Sequence, residues 1–373
     1  MRIDTFKIEE WMNRYCPTAQ YDLTTTCIAP LSIRDLLAIC AVENPFEIFN
    51  TKLTYGDIHG SERLKKAVKS LYERQEFEHI TITHGAIGAN QLVFESLLDS
   101  GDEVISIVPT YQQHYSIPKA LGAKVKLLFL KEENNWLPNL RELENTLSAR
   151  TKLICLNNPN NPTGAVIPDG MLIKIAEIAK ERNIWVLSDE VYRGLNMHGN
   201  PYSRSMADIY SKGISTGSMS KTYSLPGLRV GWICAREDLI NEVNKHREYN
   251  TISISILDDY FASLALENRN KIAIRNFKIM QEGLKTLEDW LNGEIYVKSI
   301  LPQGGTTALL RYKKDIPSKV LCKNLQAQTG VAFLPGETFE MEGYLRVGFC
   351  AGVENLQTGL KHLSKYLRGG VNK

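Results

Sequence analysis

The chain reads as an α/β protein whose main body is a mostly parallel sheet covered on both faces by helices. Between about residues 60 and 235, short apolar runs alternate with helical patterns. Such alternation marks a parallel sheet, because parallel strands need a crossover between them, usually a helix. The 373 residues also exceed what one compact core holds, so two domains are expected.

In chain order, Ile80–Thr83 is a short strand and Gln91–Leu98 a helix pattern. Val104–Pro109, Lys152–Leu156, Ile184–Leu187 and Arg229–Ala235 are continuous apolar runs and read as buried strands. Between two of these, Met171–Asn183 sets Met171, Leu172, Ile175, Ile178 and Ala179 at helical spacing, an amphipathic crossover helix. After Glu237 the texture changes. A long helical tract runs to about residue 290, and Pro302-Gln303-Gly304-Gly305 forms a turn. Strands are expected at Thr306–Arg311 and Tyr344–Cys350, with a final helix from about Glu354 to Leu367. This predicts a smaller α+β C-terminal domain. The expected division is an N-terminal segment 1–40, without strand pattern, packing with the small domain; a large domain 41–260; and a small domain 261–373.

Composition narrows the function. The chain is 43% hydrophobic and 23% charged, ordinary for a soluble globular protein. Its net charge is +2 with dispersed basic residues, so no nucleic-acid partner is expected. The N-terminus Met1–Trp11 has no apolar core of a secretory signal, and no stretch is long enough to span a bilayer. The seven cysteines are scattered, without a C-x-x-C pair or metal-ligand spacing. Reduced thiols, a cytoplasmic location and no metal are expected.

The chemistry concentrates in a few short runs. Ser218-Met219-Ser220-Lys221 leads through Pro226-Gly227-Leu228 to Arg229, placing one lysine between hydroxyls and an arginine. A lysine can form a Schiff base with a carbonyl cofactor, and the planar guanidinium of Arg229 suits a phosphate. Gly85-Ala86-Ile87-Gly88 links a strand to a helix, where small residues let backbone N–H groups face an anion. Asn157-Asn158-Pro159-Asn160-Asn161-Pro162-Thr163-Gly164 has turn composition and follows a buried strand, where ligands of α/β sheets sit. Ser188-Asp189-Glu190-Val191-Tyr192 ends the next strand. Asp189 stands 28 residues after Asn161 and 32 before Lys221. Tyr111 follows a strand, 24 residues after Ile87. In Tyr344-Leu345-Arg346-Val347, alternation turns Arg346 to the face opposite Leu345 and Val347. Trp136 and Trp185 read as core, Arg193 as pointing away from any cofactor, and His59, His84 and His198 lack a partner pattern. His114, close after Tyr111, is a lesser candidate for substrate contact.

Taken as a set, these runs resemble the fold-type I pyridoxal 5′-phosphate (PLP) enzymes of the class I/II aminotransferase family, over nearly the whole chain. The resemblance implies a large domain with a seven-stranded sheet in an α/β/α sandwich. It implies PLP held as an aldimine on Lys221, with Asp189 at the pyridine nitrogen and Asn161 and Tyr192 at the 3′ oxygen. It implies Tyr111 stacked on the ring, and the phosphate on Ala86, Ile87, Ser218 and Arg229. Ile87 stands where the family often has Thr or Ser, which removes one hydroxyl. Arg346, with Asn161, would clamp the substrate carboxylate as a bidentate partner. Tyr55, in Tyr55-Gly56-Asp57-Ile58-His59-Gly60, resembles the tyrosine that reaches the phosphate of a neighbouring subunit, implying a homodimer with composite sites.

The implied reaction moves an amino group between an amino acid and a 2-keto acid. The freed Lys221, its pKa lowered by its surroundings, acts as general base at Cα. The alternative is β-elimination, replacement or cyclisation on the same residues. Asp22-Leu23-Thr24-Thr25-Thr26-Cys27-Ile28-Ala29-Pro30 lacks the family's usual Gly-x-Pro and resembles members near capreomycidine synthase. A third reading, a PLP-binding effector sensor behind a winged-helix module, is disfavoured because the chain begins almost directly with the catalytic fold. No second arginine for an acidic substrate side chain stands out.

Overall fold

The computed structural model describes residues 2–369. Helix α1 (Lys7–Tyr15) opens the chain, followed by a two-residue strand β1 (Tyr21–Asp22). Helix α2 (Ile33–Ile39) starts at a capping box in which Ser32 and Asp35 satisfy each other's backbone N–H groups. After α3 (Glu62–Lys69), capped by Ser61, come β2 (Ile80–His84), α4 (Gly85–Leu97), β3 (Glu103–Val108), α5 (Gln113–Ala120) and β4 (Lys124–Phe129). Then follow α6 (Leu140–Thr146), β5 (Thr151–Asn157), α7 (Asp169–Glu181), β6 (Trp185–Asp189), α8 (Met206–Ile209), β7 (Gly213–Ser218) and β8 (Val230–Cys234). The C-terminal third contains α9 (Glu237–Glu248), α10 (Ile256–Glu267), α11 (Arg269–Asn292), β9 (Val297–Lys298), β10 (Thr307–Tyr312) and α12 (Ser318–Thr329). It ends with β11 (Val331–Ala332), β12 (Leu334–Pro335), β13 (Tyr344–Gly348) and α13 (Val353–Leu367).

Strands β2 to β8 form one seven-stranded sheet in the order β2-β8-β7-β6-β5-β3-β4. It is parallel except for β8, which runs antiparallel to both neighbours. One face packs Ile105, Ile154 and Val186 against Leu172, Ile175 and Ala179 of α7. The other packs Val104, Leu153 and Leu187 against Phe94 of α4 and Val243 of α9. Three layers result, with the strand ends β5, β6 and β7 opening on one edge. The C-terminal sheet, order β12-β13-β10-β9, is antiparallel.

Several expectations need correction. The N-terminal segment does carry a strand, since β1 pairs in parallel with β11. Its α1 side joins the C-terminal core through Ile8 and Trp11, but Leu36 of α2 packs with Leu64, Ile80 and Trp232 of the large sheet. The single helical tract after Glu237 is three helices, broken around Tyr249–Ser255 and at Asn268. Helix α4 begins six residues earlier than expected, at Gly85, so the small-residue run is already helical. Strands β4 and β7 add to the expected elements. β4 is an edge strand bearing Lys124 and Lys126. β7 is rich in small polar residues because its neighbours come close: a Cβ on Gly217 would lie 2.4 Å from the Trp232 ring. Among the described residues, no helix is long and apolar enough to cross a membrane.

Candidate active site

The parallel register brings the strand ends together. Asn157 pairs with Asp189, and Asp189 with Thr216, across β5, β6 and β7. Asp189 is then fixed from three sides. Its Oδ2 accepts from Asn90 Nδ2 at 2.9 Å and lies 3.3 Å from His114 Nε2, while its Oδ1 accepts from the Val191 N–H at 3.2 Å. Asn90 is in turn held by Thr216 Oγ1, which donates to its Oδ1 at 2.7 Å. His114 is fully buried behind Asp189 and does not line the cavity, so substrate contact by His114 is corrected. No motif signals Asn90, whose partner lies 99 residues away.

A cavity of about 340 Å³ lies above these strand ends. At one end stand Ala86 and Ile87 in the first turn of α4, together with Ser218, Ser220 and Arg229. These are N–H, hydroxyl and guanidinium donors, with no carboxylate among them. Arg229 takes a left-handed backbone, φ 51°, and its Nη1 donates to Pro226 O at 2.8 Å. Gly85 makes room for this side chain: with φ 66°, a Cβ there would sit 2.9 Å from Arg229 Nη2.

Lys221 projects into the same cavity. Its Nζ donates to Thr26 Oγ1 at 2.5 Å and to Cys27 Sγ at 3.4 Å. Thr26 is anchored in turn, its carbonyl accepting from Thr306 Oγ1 at 2.8 Å. Burial works to lower the Lys221 ammonium, but Tyr192 and Cys27 outweigh it and the net direction is up. The acceptors around Lys221 thus act against the expected lowering of its amine.

Arg346, on the central strand β13, is 1% exposed. Its Nη1 donates to Asn161 Oδ1 at 3.2 Å and its Nη2 to the Thr24 carbonyl. Its Nε has no partner, and no carboxylate pairs with it among the described residues. Burial pushes this guanidinium below the usual arginine range, opposed by Tyr192, Cys16, Asp22 and Glu9. A buried, unpaired cation is costly unless a ligand supplies the anion.

Tyr192 and Tyr111 complete the walls. Tyr111 is positioned by α1: its hydroxyl donates to Glu9 Oε1 at 2.7 Å and its ring lies 4.7 Å from that of Phe6. Burial and the Glu9 carboxylate push its phenol pKa up. Tyr55 is 83% exposed and lies outside this cavity. Of the residues expected in the site, the structure thus brings together Ala86, Ile87, Tyr111, Asn161, Asp189, Tyr192, Ser218, Lys221, Arg229 and Arg346. Trp136 and Trp185 are core, and Arg193 turns away to donate to Ser203 O and Leu71 O.

An amine beside a cluster of phosphate-type donors, facing a fixed aspartate at strand ends, defines a carbonyl-cofactor enzyme of the α/β class. The chain belongs to the aminotransferase class I and II family, which matches residues 26–363. Its fold is that of PLP-dependent aminotransferases. It superposes at TM-score 0.95 on the crystal structure of a PLP-dependent aminotransferase from Streptococcus suis, with 41% identity and 100% of both chains covered. It is 28% identical to the capreomycidine synthase of Streptomyces vinaceus over 362 residues, 96% of this chain and 93% of that one. It is 31% identical to an aspartate aminotransferase from Pyrococcus horikoshii over 333 residues, 83% and 82% of the two chains. The protein is accordingly a PLP-dependent enzyme of the aminotransferase type, and pyridoxal 5′-phosphate is its cofactor. The site fits that group: a donor cluster for the phosphate, a Cβ-free approach at Gly85, an amine at Lys221 and an anion at Asp189.

Proposed function

We propose that the protein transfers an amino group between an amino acid and a 2-keto acid. The observation that carries this reading is Arg346, a buried guanidinium with an unpartnered Nε lining the same cavity as Lys221. A substrate α-carboxylate supplies the missing anion there, with Asn161 orienting Nη1. When bound, PLP supplies a carbonyl that condenses with amines and a ring that accepts the electrons left at Cα.

The chain's own residues do the rest. Ser218, Ser220, Arg229 and the first backbone N–H groups of α4 would hold the phosphate. Asp189, fixed by Asn90, would be the anion beside the pyridine nitrogen. Asn161 and Tyr192 would hold the ring oxygen, and Tyr111 would pack against the ring. Lys221 Nζ would be the base that takes up and returns the substrate's Cα proton, steadied by Thr26 and Cys27. Tyr55 serves the phosphate of a partner subunit in a homodimer, in keeping with its exposure.

A second reading has its own support. Thr26 and Cys27 crowd the amine of Lys221, and the similarity to a capreomycidine synthase spans 96% of the chain. Elimination, replacement or cyclisation at the side chain uses the same cofactor contacts. The test is to mix PLP-loaded enzyme with single amino acids and no keto acid, following absorbance and products together. Accumulation of pyridoxamine phosphate, reversed by a keto acid, supports transamination. Ammonia release or a cyclised product, with the cofactor unchanged, overturns it in favour of the second reading.

A further inference from the structure

The cavity's cations and anions do not have matching tasks. Three cations line it, Lys221, Arg229 and Arg346, and the proposed reaction uses all three. Three carboxylates line it as well, and only Asp189 is used. Glu9 and Asp22 touch no reacting group in that scheme and act there only as distant charges on Arg346. Both come from the N-terminal segment that packs on the C-terminal domain, Glu9 on α1 and Asp22 on β1.

These two carboxylates are held in place. Helix α1 is tied down by Trp11 Nε1, which donates to Phe333 O at 3.2 Å, and by the Lys7 N–H, which donates to Gln112 Oε1 at 2.8 Å. Glu9 Oε1 accepts from the Tyr111 hydroxyl at 2.7 Å. Asp22 Oδ1 accepts from the Thr24 N–H at 2.8 Å and from Thr24 Oγ1 at 2.6 Å. Glu9 has one oxygen engaged by the protein and one without a hydrogen-bond partner among the described residues, and Asp22, its Oδ1 held by Thr24, also lies beside the Cys16 thiol. Neither carboxylate forms an ion pair among the described residues. That a ligand belongs between them and the cofactor residues is called for independently by Arg346, 1% exposed with Nε unpartnered in the same cavity.

We infer that Glu9 and Asp22 select a substrate with a cationic side chain, of the amine or guanidine class, and reject dicarboxylic amino acids. This rests on the reading of Arg346 as the α-carboxylate clamp. With the α-carboxylate on Arg346, the side chain meets two carboxylates and no remaining cation. A like charge there is repelled and an opposite charge is paired in a partly desolvated site, where such differences are large.

The test uses PLP-loaded enzyme and carboxylates that lack an α-amine, so that binding is read without any reaction. The probes are 4-guanidinobutanoate, 5-(dimethylamino)pentanoate, pentanoate and glutarate, titrated through the cofactor absorbance or by calorimetry. The expected result is that both cationic probes bind about tenfold or more tighter than pentanoate, with glutarate weakest. The E9Q/D22N double variant brings the cationic probes down to the level of pentanoate. Glutarate binding as tightly as the cationic probes overturns the inference, as does a cationic preference that survives in the double variant. Should that variant fail to fold, the ranking on the unaltered enzyme decides alone. Failure of transamination leaves this ranking intact, whereas a reversed ranking leaves transamination intact.

Discussion

Asn90 Nδ2 donates to Asp189 Oδ2 at 2.9 Å, joining the first helix after β2 to the end of β6 across 99 residues of chain. Asn90 lines the cavity and holds the aspartate, and its role here is to position Asp189. Replacing it with Ala removes one donor from Asp189 and leaves Thr216 Oγ1 without its acceptor. We expect kcat to fall on the order of 100-fold, because small misplacements of a reacting group cost about that much. The cofactor should also bind more weakly, while the circular dichroism spectrum is retained. Unaltered kcat and cofactor affinity in N90A would remove Asn90 from this role.

Gly85 and Gly231 stack at the phosphate end and separate two effects. A Cβ at Gly85 meets the end of a flexible side chain, Arg229 Nη2, at 2.9 Å. G85A should displace Arg229 and weaken cofactor binding about tenfold, with a backbone strain of about 1 kcal/mol at its positive φ. A Cβ at Gly231 meets backbone, the Gly85 carbonyl carbon at 2.3 Å, which cannot swing aside. G231A should lose about 3 kcal/mol of stability. At Gly227 nothing lies within 4 Å, and G227A serves as the control. Thermal melts with and without cofactor distinguish the three.

The legible part of this molecule is what lies in short turns at strand ends. Asn161 follows one apolar strand and Asp189 ends the next, so a run of apolar residues is enough to locate them, whereas Lys221 is marked only by its own run from Ser218 to Arg229. The parallel register then makes neighbours of residues distant in sequence. What stayed hidden depends on partners from other elements. Asn90 finds Asp189, Glu9 finds Tyr111 across 102 residues and Thr26 finds Lys221 across 195. None of these pairs leaves a periodic pattern. Strand β7 escaped for a different reason: its glycines and hydroxyls answer to Trp232 and Asn90 rather than to a hydrophobic core.

Arg346 offers the sharpest separation of binding from chemistry. Lys keeps the charge but replaces the planar fork with a single ammonium, which cannot reproduce donors aimed at Asn161 Oδ1, the Thr24 carbonyl and a carboxylate together. R346K should raise KM for the amino acid about 100-fold, as expected when a charge-assisted bidentate pair is broken. Cofactor loading should be unaffected, because the phosphate donors lie elsewhere. An unchanged KM would dissociate Arg346 from the substrate carboxylate.

Cys27 gives a prediction in pH. Burial lowers the Lys221 ammonium, while Tyr192 and Cys27 raise it, the net direction being up. Removing the thiol takes away one raising influence and one acceptor at 3.4 Å. In C27A the lysine therefore releases its proton at lower pH, and more of it is the free amine at any given pH on the acid side. If Lys221 must be unprotonated to act as base, the acidic limb of the kcat profile moves to lower pH, while the basic limb stays. The same displacement should appear in the pH dependence of Lys221 acylation in apoenzyme, read by mass spectrometry at several pH values. T26V is the comparison: it removes the acceptor at 2.5 Å without removing a titratable group. Its effect should fall on positioning, as a lower kcat at every pH, with a smaller displacement of the limb than in C27A. A C27A profile superimposable on that of the unaltered enzyme, in both kcat and acylation, would show that the thiol does not set the lysine's protonation.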